Sequence, residues 1–169
     1  MPHPKNSLAL LTLAAGLFAA GIFPAAAAVK VGDAFPDLAT FQLEGALPAD
    51  CAGKIIVVDF WASWCKPCKQ SFPALNELHA KYAAQGVVII AVNVDENRAD
   101  MDAFLKKIPA TFPIVRDGEQ KLVGKTGINT MPSSFILDRT GKVRFTHSGF
   151  HGDDTKKTYI TEIESLLTK

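Results

Sequence analysis

Cysteine and histidine are sparse in this chain, which has three cysteines and four histidines among 169 residues. A structural zinc site typically takes four such ligands, in two closely spaced pairs. The sequence has one pair, Cys65 and Cys68, while Cys51 stands apart and the histidines form no paired motif. The lack of a second pair argues against a metal site and leaves a redox centre or a structural disulfide as the use of the first.

An excess of charge of either sign is also lacking. The chain has 18 basic and 17 acidic side chains, and loss of an N-terminal leader would remove Lys5 and no acid. A protein without a basic excess lacks the electrostatic attraction that binds nucleic acids and anionic membranes. We therefore expect neither of these as the main partner.

The longest apolar run lies near the N-terminus. Lys5 precedes the run 8–20, and small residues, Ala26 and Ala28, follow it, a pattern typical of a cleavable secretory signal peptide. No cysteine follows the small residues, which argues against a lipid-modified terminus. We predict a signal peptide over 1–28, a single domain over 29–169 and a location in the periplasm. An uncleaved membrane anchor facing the periplasm is the alternative.

The segment Trp64–Cys68 reads Trp-Cys-Lys-Pro-Cys, and two cysteines at this spacing can form a reversible disulfide. The β-branched run 54–63 before it predicts a strand over 55–61, and the apolar spacing after it predicts a helix over 65–84. Cys65 would lie at the helix N-terminus, where free N–H groups and the helix dipole stabilise a thiolate. Cys68, one turn further and more shielded, is placed to resolve a mixed disulfide formed at Cys65.

The rest of the pattern predicts an α/β domain. A strand or hairpin is expected over 38–43, before the first core strand. The elements expected after the first helix are strands at 87–94 and 112–115, helices at 99–107 and 117–125, a hairpin of strands 133–138 and 142–147, and a last helix capped by Asp153 or Asp154. This order predicts a central mixed sheet flanked by helices, with the redox turn at one sheet edge.

Residues 58–68, which read Val-Asp-Phe-Trp-Ala-Ser-Trp-Cys-Lys-Pro-Cys, closely resemble the active-site segment of thioredoxins. Pro73 matches the kink proline of that family, and 131–138 is similar to its cis-proline strand. The segment 31–37 and the helical segment after Val94 are similar to the exported TlpA, ResA and DsbE branch. The resemblance implies a thioredoxin fold with an N-terminal β extension and an extra helical insertion. Peroxiredoxins share the N-terminal signature, but their peroxidatic cysteine follows a Thr/Ser-x-x pattern that differs from this segment.

The resemblance also implies catalytic roles for two carboxylates. Asp59 matches the buried aspartate of thioredoxins, and a buried carboxylate needs a raised pKa or a partner. We expect Asp59 to exchange a proton with Cys68 during resolution. Glu96 matches a glutamate that approaches the active site of ResA-like proteins. The plainer alternatives are an exposed edge-strand acid for Asp59, and for Glu96 a solvated loop shared with Asp95.

A partner-binding surface around the two cysteines is a further implication. Its expected members are Trp64, Lys66, Pro67, Met131 and Pro132. Pro132 would be the cis-proline opposite the cysteines, where backbone groups can pair with a substrate strand, and Met131 would lie beside the disulfide. Trp64 offers an apolar contact, with core packing as its alternative, and Lys66 adds a positive charge near the sulfurs.

These features predict an exported thiol-disulfide oxidoreductase that needs no cofactor and reduces disulfides in partner proteins. The resemblance implies substrates such as apocytochrome c or a copper-site assembly protein, a role in cytochrome c maturation, and electrons from a membrane thiol carrier of the CcdA or DsbD type. We expect a monomer. One alternative is a periplasmic oxidant or isomerase. Another is a copper carrier for cytochrome oxidase assembly that would use Cys65, Cys68 and His147.

Cys51, His147 and His151 lie outside the redox segment. Cys51 is expected to be a partly buried structural residue rather than a regulatory or intermolecular thiol. His147 and His151 are expected to serve packing or surface roles.

Overall fold

The computed structural model describes Met1 and residues 28–168. The strands are β1 (Ile55–Trp61), β2 (Val87–Asn93), β3 (Ile114–Arg116), β4 (Ser133–Leu137) and β5 (Val143–Ser148), and the helices are α1 (Lys66–Tyr82), α2 (Arg98–Lys107), α3 (Lys121–Thr126) and α4 (Asp153–Leu167), with 3-10 turns at Leu38–Thr40 and Ala83–Gln85. The strands form one mixed sheet of order β3-β2-β1-β4-β5. The predicted fold, a central mixed sheet flanked by helices, is confirmed.

The predicted signal peptide over 1–28 lies, apart from its two ends, outside the described residues. Among the residues that are described, no helix has the length and apolar character needed to cross a bilayer.

The helices α1, α2 and α4 pack on one face of the sheet. Trp61 of β1 contacts Phe72 of α1 and Phe104 of α2, with ring centroids 4.7 and 4.6 Å apart. The hydroxyl of Tyr82 on α1 donates to the carboxylate of Glu164 on α4 at 2.6 Å, which ties these two helices together. Strand β1 is therefore covered by helices on this side, and its largely apolar sequence follows from burial on both faces.

The other face of the sheet is covered by residues 28–47, which we call the N-terminal arm. The ring of Phe35 in the arm lies 5.1 Å from that of Phe135 on β4, which in turn contacts Phe60 of β1. The arm forms isolated bridges near both edges of the sheet, at Ala34 with Lys142 and at Glu44 with Arg116. It thus spans the sheet from the β5 side to the β3 side.

The predicted strand or hairpin over 38–43 is wrong in detail. The chain forms a 3-10 turn at Leu38–Thr40, and the β extension is reduced to the isolated bridges. The reason is local: the carboxylate of Asp37 accepts the N–H of Ala39 at 3.0 Å, and such a cap competes with strand pairing. Beyond the turn, Gly45 has a φ of 110°, and a Cβ there would lie 2.8 Å from the carbonyl oxygen of Ile114, so the arm approaches β3 more closely than other residues allow.

The ends of the helices agree with their sequence signals, with one correction. Helix α1 begins after Cys65, and the chain leaves the 3-10 turn that follows it at Gly86, which has a φ of 84°. The last helix was expected to be capped by Asp153 or Asp154, but Gly152 is its N-cap residue and no side chain caps it. The backbone at Gly152 has a φ of 65°, so the chain turns one residue earlier, and both acids lie in the first turn near the positive end of the helix dipole.

Candidate active site

The two cysteines of the redox segment are joined by a disulfide where β1 passes into α1. Cys65 is the N-cap residue of α1, and its Sγ accepts the backbone N–H of Cys68 at 3.1 Å. Pro67 lies in the first turn, where its missing N–H leaves no bond unmade. Cys65 is 3% exposed and Cys68 is fully buried. A thiolate on Cys65 would therefore be stabilised by an N–H donor and the helix dipole, while Cys68 is the more shielded thiol.

Two exposed residues, Trp64 and Lys66, flank Cys65 along the chain. Trp64 is 70% exposed, so the alternative that it packs in the core is wrong. It lines a groove of about 640 Å³ together with Glu96, Ile128 and Met131. The peptide bond between Met131 and Pro132 is cis, as the resemblance implied. The expected surface residues Lys66, Pro67 and Pro132 are not among those that line this groove.

Asp59 is a buried carboxyl in the middle of the central strand. It is 1% exposed, so the alternative of an exposed edge-strand acid is wrong. Oδ1 accepts the hydroxyl of Ser134 at 2.5 Å, and Oδ2 has no hydrogen-bond partner within the described residues. Burial raises the pKa of Asp59 from its ordinary 3.8 to about 7, although the hydrogen bond from Ser134 opposes the rise. This carboxyl can therefore gain or lose a proton near neutral pH.

Sequence reasoning missed two residues that complete the surroundings of Asp59. Ser134 on β4 is paired with Asp59 in the sheet register, and its Oγ lies 2.6 Å from the hydroxyl of Tyr159 on α4. Burial and, to a lesser degree, the nearby charge of Asp59 raise the pKa of Tyr159. The available signal was a pair of serines at the start of an otherwise apolar strand.

The loop after β2 carries a second connection to the redox turn. The carboxylate of Asp95 accepts the backbone N–H of Ser63 at 3.0 Å, the hydroxyl of Ser63 at 3.1 Å and the side-chain amide of Asn93 at 2.8 Å. Asp95 is 3% exposed, so the alternative of a solvated loop is wrong at this residue. Glu96 is exposed, as such a loop would have it, and its carbonyl accepts from Arg116 at 2.9 Å. Asp95 therefore holds the turn before the cysteines, while a catalytic role for Glu96 stays a prediction.

The third cysteine lies apart from the redox pair. Cys51 is a free, half-buried thiol whose Sγ lies 3.5 Å from the carbonyl oxygen of Pro48. Burial raises its pKa, which disfavours the reactive thiolate. This environment is that of a partly buried structural residue.

The histidines are not brought to the cysteines. His147 on β5 has its Nε2 2.7 Å from the carboxylate of Glu162, and its ring packs 4.7 Å from that of Tyr159. Across residues 28–168, no group of three or more histidine, cysteine and acidic side chains is arranged to hold a metal ion. The cluster that a copper carrier would build from Cys65, Cys68 and His147 is thus not formed. His151 is exposed.

Comparison with known proteins extends this picture. A profile of the AhpC/TSA family matches residues 31–146. The thiol-disulfide oxidoreductase ResA of Geobacillus thermodenitrificans is 36% identical over 147 residues, which cover 86% of this chain and 84% of the relative. ResA of Geobacillus kaustophilus is 35% identical over 141 residues, with coverage of 82% and 79%. A crystal structure from Chlorobium tepidum, assigned as a thiol:disulfide interchange protein DsbE, has a TM-score of 0.76 and 39% identity and covers 83% of this chain and 99% of that one.

The family profile spans the redox turn, the buried aspartate and the cis-proline strand, all within one five-stranded domain. The ResA relatives match over more than three quarters of both chains. The chain belongs to the AhpC/TSA family and, within it, is a thioredoxin-fold thiol-disulfide oxidoreductase of the ResA- and DsbE-like branch.

Proposed function

We propose that this enzyme reduces disulfides in exported partner proteins, with Cys65 as the attacking thiolate and Cys68 as the resolving thiol. The observation that carries this proposal is the difference between the two sulfurs. Cys65 caps α1 and accepts the N–H of Cys68, while Cys68 is fully buried behind it. The first sulfur is stabilised as a thiolate, and the second reacts only within a mixed disulfide.

The reaction begins with attack by the Cys65 thiolate on one sulfur of the partner disulfide. The partner S–S bond breaks, a mixed disulfide forms at Cys65, and the released partner thiolate takes a proton from solvent. Cys68 then loses its proton and attacks the Sγ of Cys65, which expels the second partner sulfur as a thiolate. Two electrons have passed from the dithiol to the partner, and the Cys65–Cys68 disulfide has formed.

Asp59 is the proposed acceptor of the proton that Cys68 loses. Its carboxyl is buried, and a pKa of about 7 allows it to accept a proton near neutral pH and to give it up again. Glu96 is proposed as a second proton-handling group, since it is exposed on the groove that Trp64 and Met131 also line. The same groove, with the cis bond before Pro132, is the proposed binding surface for the partner segment.

The proposed setting is the periplasm. The leader pattern of residues 1–28 supports export, and disulfides in an oxidising compartment stay formed unless electrons are supplied. A reductase there needs a membrane thiol carrier of the CcdA or DsbD type as its donor. Apocytochrome c, during cytochrome c maturation, is the proposed substrate, as the resemblance to the exported TlpA, ResA and DsbE branch implies.

Two measurements test the proposal. Equilibrium titration of the purified protein against glutathione should give a reduction potential of about −220 mV or lower, whereas a potential above about −180 mV would indicate an oxidant or isomerase. In cells, Cys68→Ser should accumulate a mixed disulfide with its partner, which mass spectrometry identifies. Cys65→Ser is the matched control and should trap nothing. Adducts of equal yield in both variants would contradict the assignment of the attacking sulfur.

A further inference from the structure

A row of polar side chains crosses three strands beneath α4. Asp59 on β1 is paired in register with Ser134 on β4, which is paired with His147 on β5. Tyr159 of α4 reaches the middle of this row, 2.6 Å from the Oγ of Ser134. Ser134 is 1% exposed and Tyr159 is 2% exposed, so the hydroxyls and the Asp59 carboxyl form one buried chain of hydrogen bonds.

The direction of this chain follows from its donors. An ionised carboxylate only accepts, and serine and tyrosine hydroxyls each have a single proton to donate. Ser134 must therefore donate to Oδ1 of Asp59, and its own oxygen accepts the proton of Tyr159. Protonation of Asp59 on Oδ1 would make that oxygen a donor to Ser134, and either the Ser134 proton or the Tyr159 proton would then lack an acceptor within the described part of the protein. The other oxygen of Asp59, Oδ2, is buried and has no hydrogen-bond partner among the described residues.

We propose that Ser134 and Tyr159 are positioning residues for the thiol-disulfide reaction: their donor chain occupies Oδ1 of Asp59 and leaves Oδ2 as the atom that accepts the proton of Cys68. This inference rests on the proposed role of Asp59 as the proton acceptor. The proton passes from the Cys68 thiol to Oδ2, the Cys68 sulfur bonds to the Sγ of Cys65, and the bond between Cys65 and the partner sulfur breaks. The departing partner thiolate is protonated by solvent.

Burial and the charged groups around this chain of hydrogen bonds keep the hydroxyl of Tyr159 protonated, so that it remains a donor. From α4, Glu162 lies near Tyr159, and from β5, His147 pairs with Glu162 at 2.7 Å. From α1, Cys68 is the group that exchanges its proton with Asp59. Burial, the charge of Asp59 and that of Glu162 all raise the pKa of Tyr159, so its hydroxyl stays protonated across the neutral range.

The hydrogen bonds from Ser134 and Tyr159 also influence the pH at which Asp59 can accept a proton. Burial raises the pKa of Asp59, and the bond from Ser134 counteracts part of that rise because it stabilises the ionised form. Loss of the Ser134 hydroxyl should therefore move the pKa of Asp59 further upward. Loss of the Tyr159 hydroxyl should act in the same direction but less, because it weakens the chain one bond away from the carboxyl.

Rapid mixing of the reduced protein with Ellman's reagent tests this inference. The reagent releases one coloured thiolate when Cys65 attacks and a second when Cys68 resolves the adduct, so the second phase isolates resolution. Its rate, followed from pH 5.5 to 9, should have a midpoint that rises by about one unit in Ser134→Ala, with a rate about five-fold lower at pH 7. Tyr159→Phe, which preserves the ring, should shift the midpoint upward by less. The first phase should stay unchanged in both variants.

The matched control is Tyr82→Phe, which removes the hydroxyl of another buried tyrosine that donates to Glu164 and has no bond to Ser134 or Asp59. Its midpoint should equal that of the parent. If Ser134→Ala does not fold, Tyr159→Phe alone decides. Unchanged midpoints in folded Ser134→Ala and Tyr159→Phe, or a shift in Tyr82→Phe of equal size, would overturn the inference.

Two further readouts separate this inference from the proposed function. If Asp59→Asn resolves at the parental rate, Asp59 is not the proton acceptor and the proposed function fails at that step. The carboxyl-carbon NMR titration of Asp59 in Ser134→Ala tests the donor chain independently, and a pKa that does not rise overturns it. In infrared spectra of the acid form, Ser134→Ala should raise the C=O stretching frequency of Asp59, because Oδ1 then loses its donor. A frequency that is unchanged or lower would place the proton on Oδ1 and refute the assignment.

Discussion

The buried carboxyl of Asp59 should make the oxidised protein less stable as the pH rises, and Asp59→Asn should remove that loss. Its pKa is about 7 in the folded protein and 3.8 ordinarily. Between these values the folded chain holds a proton that the unfolded chain lacks, so stability falls as the pH rises and the slope ends above pH 7. At about 1.4 kcal/mol per unit over two units, the parent should lose about 3 kcal/mol between pH 5 and pH 8 through this group.

The measurement is urea unfolding of the oxidised parent and of Asp59→Asn at a series of pH values from 5 to 8. With the cysteines in a disulfide, no thiol of the redox pair titrates, and the other acids contribute equally to both proteins. The free energy of unfolding of Asp59→Asn relative to the parent should therefore rise by about 3 kcal/mol across the series. The absolute offset at pH 5 depends on how the new amide is hydrogen-bonded, but the change with pH does not.

Asp102→Asn is the matched control, since Asp102 is an exposed acid on α2. Its difference from the parent should stay within about 0.5 kcal/mol at every pH. Parallel pH curves for the parent and Asp59→Asn would refute the reasoning, because they would mean that the carboxyl is ionised in the folded protein throughout the range. A difference that falls with pH would refute its sign.

Three more outcomes follow from the structure. Asp95→Asn should lower the free energy of unfolding by about 1–3 kcal/mol, because the NH2 group that replaces one carboxylate oxygen cannot accept, so a donor of Ser63 or Asn93 loses its acceptor. Exposed Asp100→Asn is its control in the same urea titrations, and equal losses would contradict the role of Asp95. Trp64→Ala should change stability by no more than about 0.5 kcal/mol, yet slow the reduction of a protein disulfide more than that of Ellman's reagent; equal slowing would mean that Trp64 does not contact partners. Iodoacetamide should label Cys51 in the oxidised protein more slowly than free cysteine at pH 8, because burial raises its pKa, and faster labelling would contradict this.

The features that sequence alone predicted well are those determined by neighbouring residues. The redox turn, the strand before it and the helix after it are encoded within residues 54–86, so the position of Cys65 at a helix N-terminus followed directly. The burial of Asp59 was implied by the resemblance to thioredoxins, because its place in the apolar strand left an exposed edge position open as the alternative. The 3-10 turn at Leu38–Thr40 was the local failure: the partly alternating apolar residues of 38–43 favoured a strand, whereas the side chain of Asp37 caps a turn there.

The features that sequence missed depend on residues far apart along the chain. Whether Asp95 or Glu96 faces inward is set by Ser63, 32 residues earlier, whose N–H needs an acceptor. The contact of Ser134 with Asp59 spans 75 residues and depends on the register of β4 against β1. Such pairings arise only once the strand order is fixed, and the pattern of one segment does not encode them.

The N-terminal arm has a consequence for the behaviour of the domain in a crowded compartment. An open sheet leaves unpaired N–H and C=O groups along its outermost strands, which invite another chain to add itself. Here Val143 donates its N–H to Asp33 at 2.9 Å on one side, and Glu44 and Arg116 exchange two backbone hydrogen bonds on the other. The arm thus pairs with part of both edge strands. Its removal would expose their backbone groups to self-association and would leave the chemistry of the cysteines unchanged.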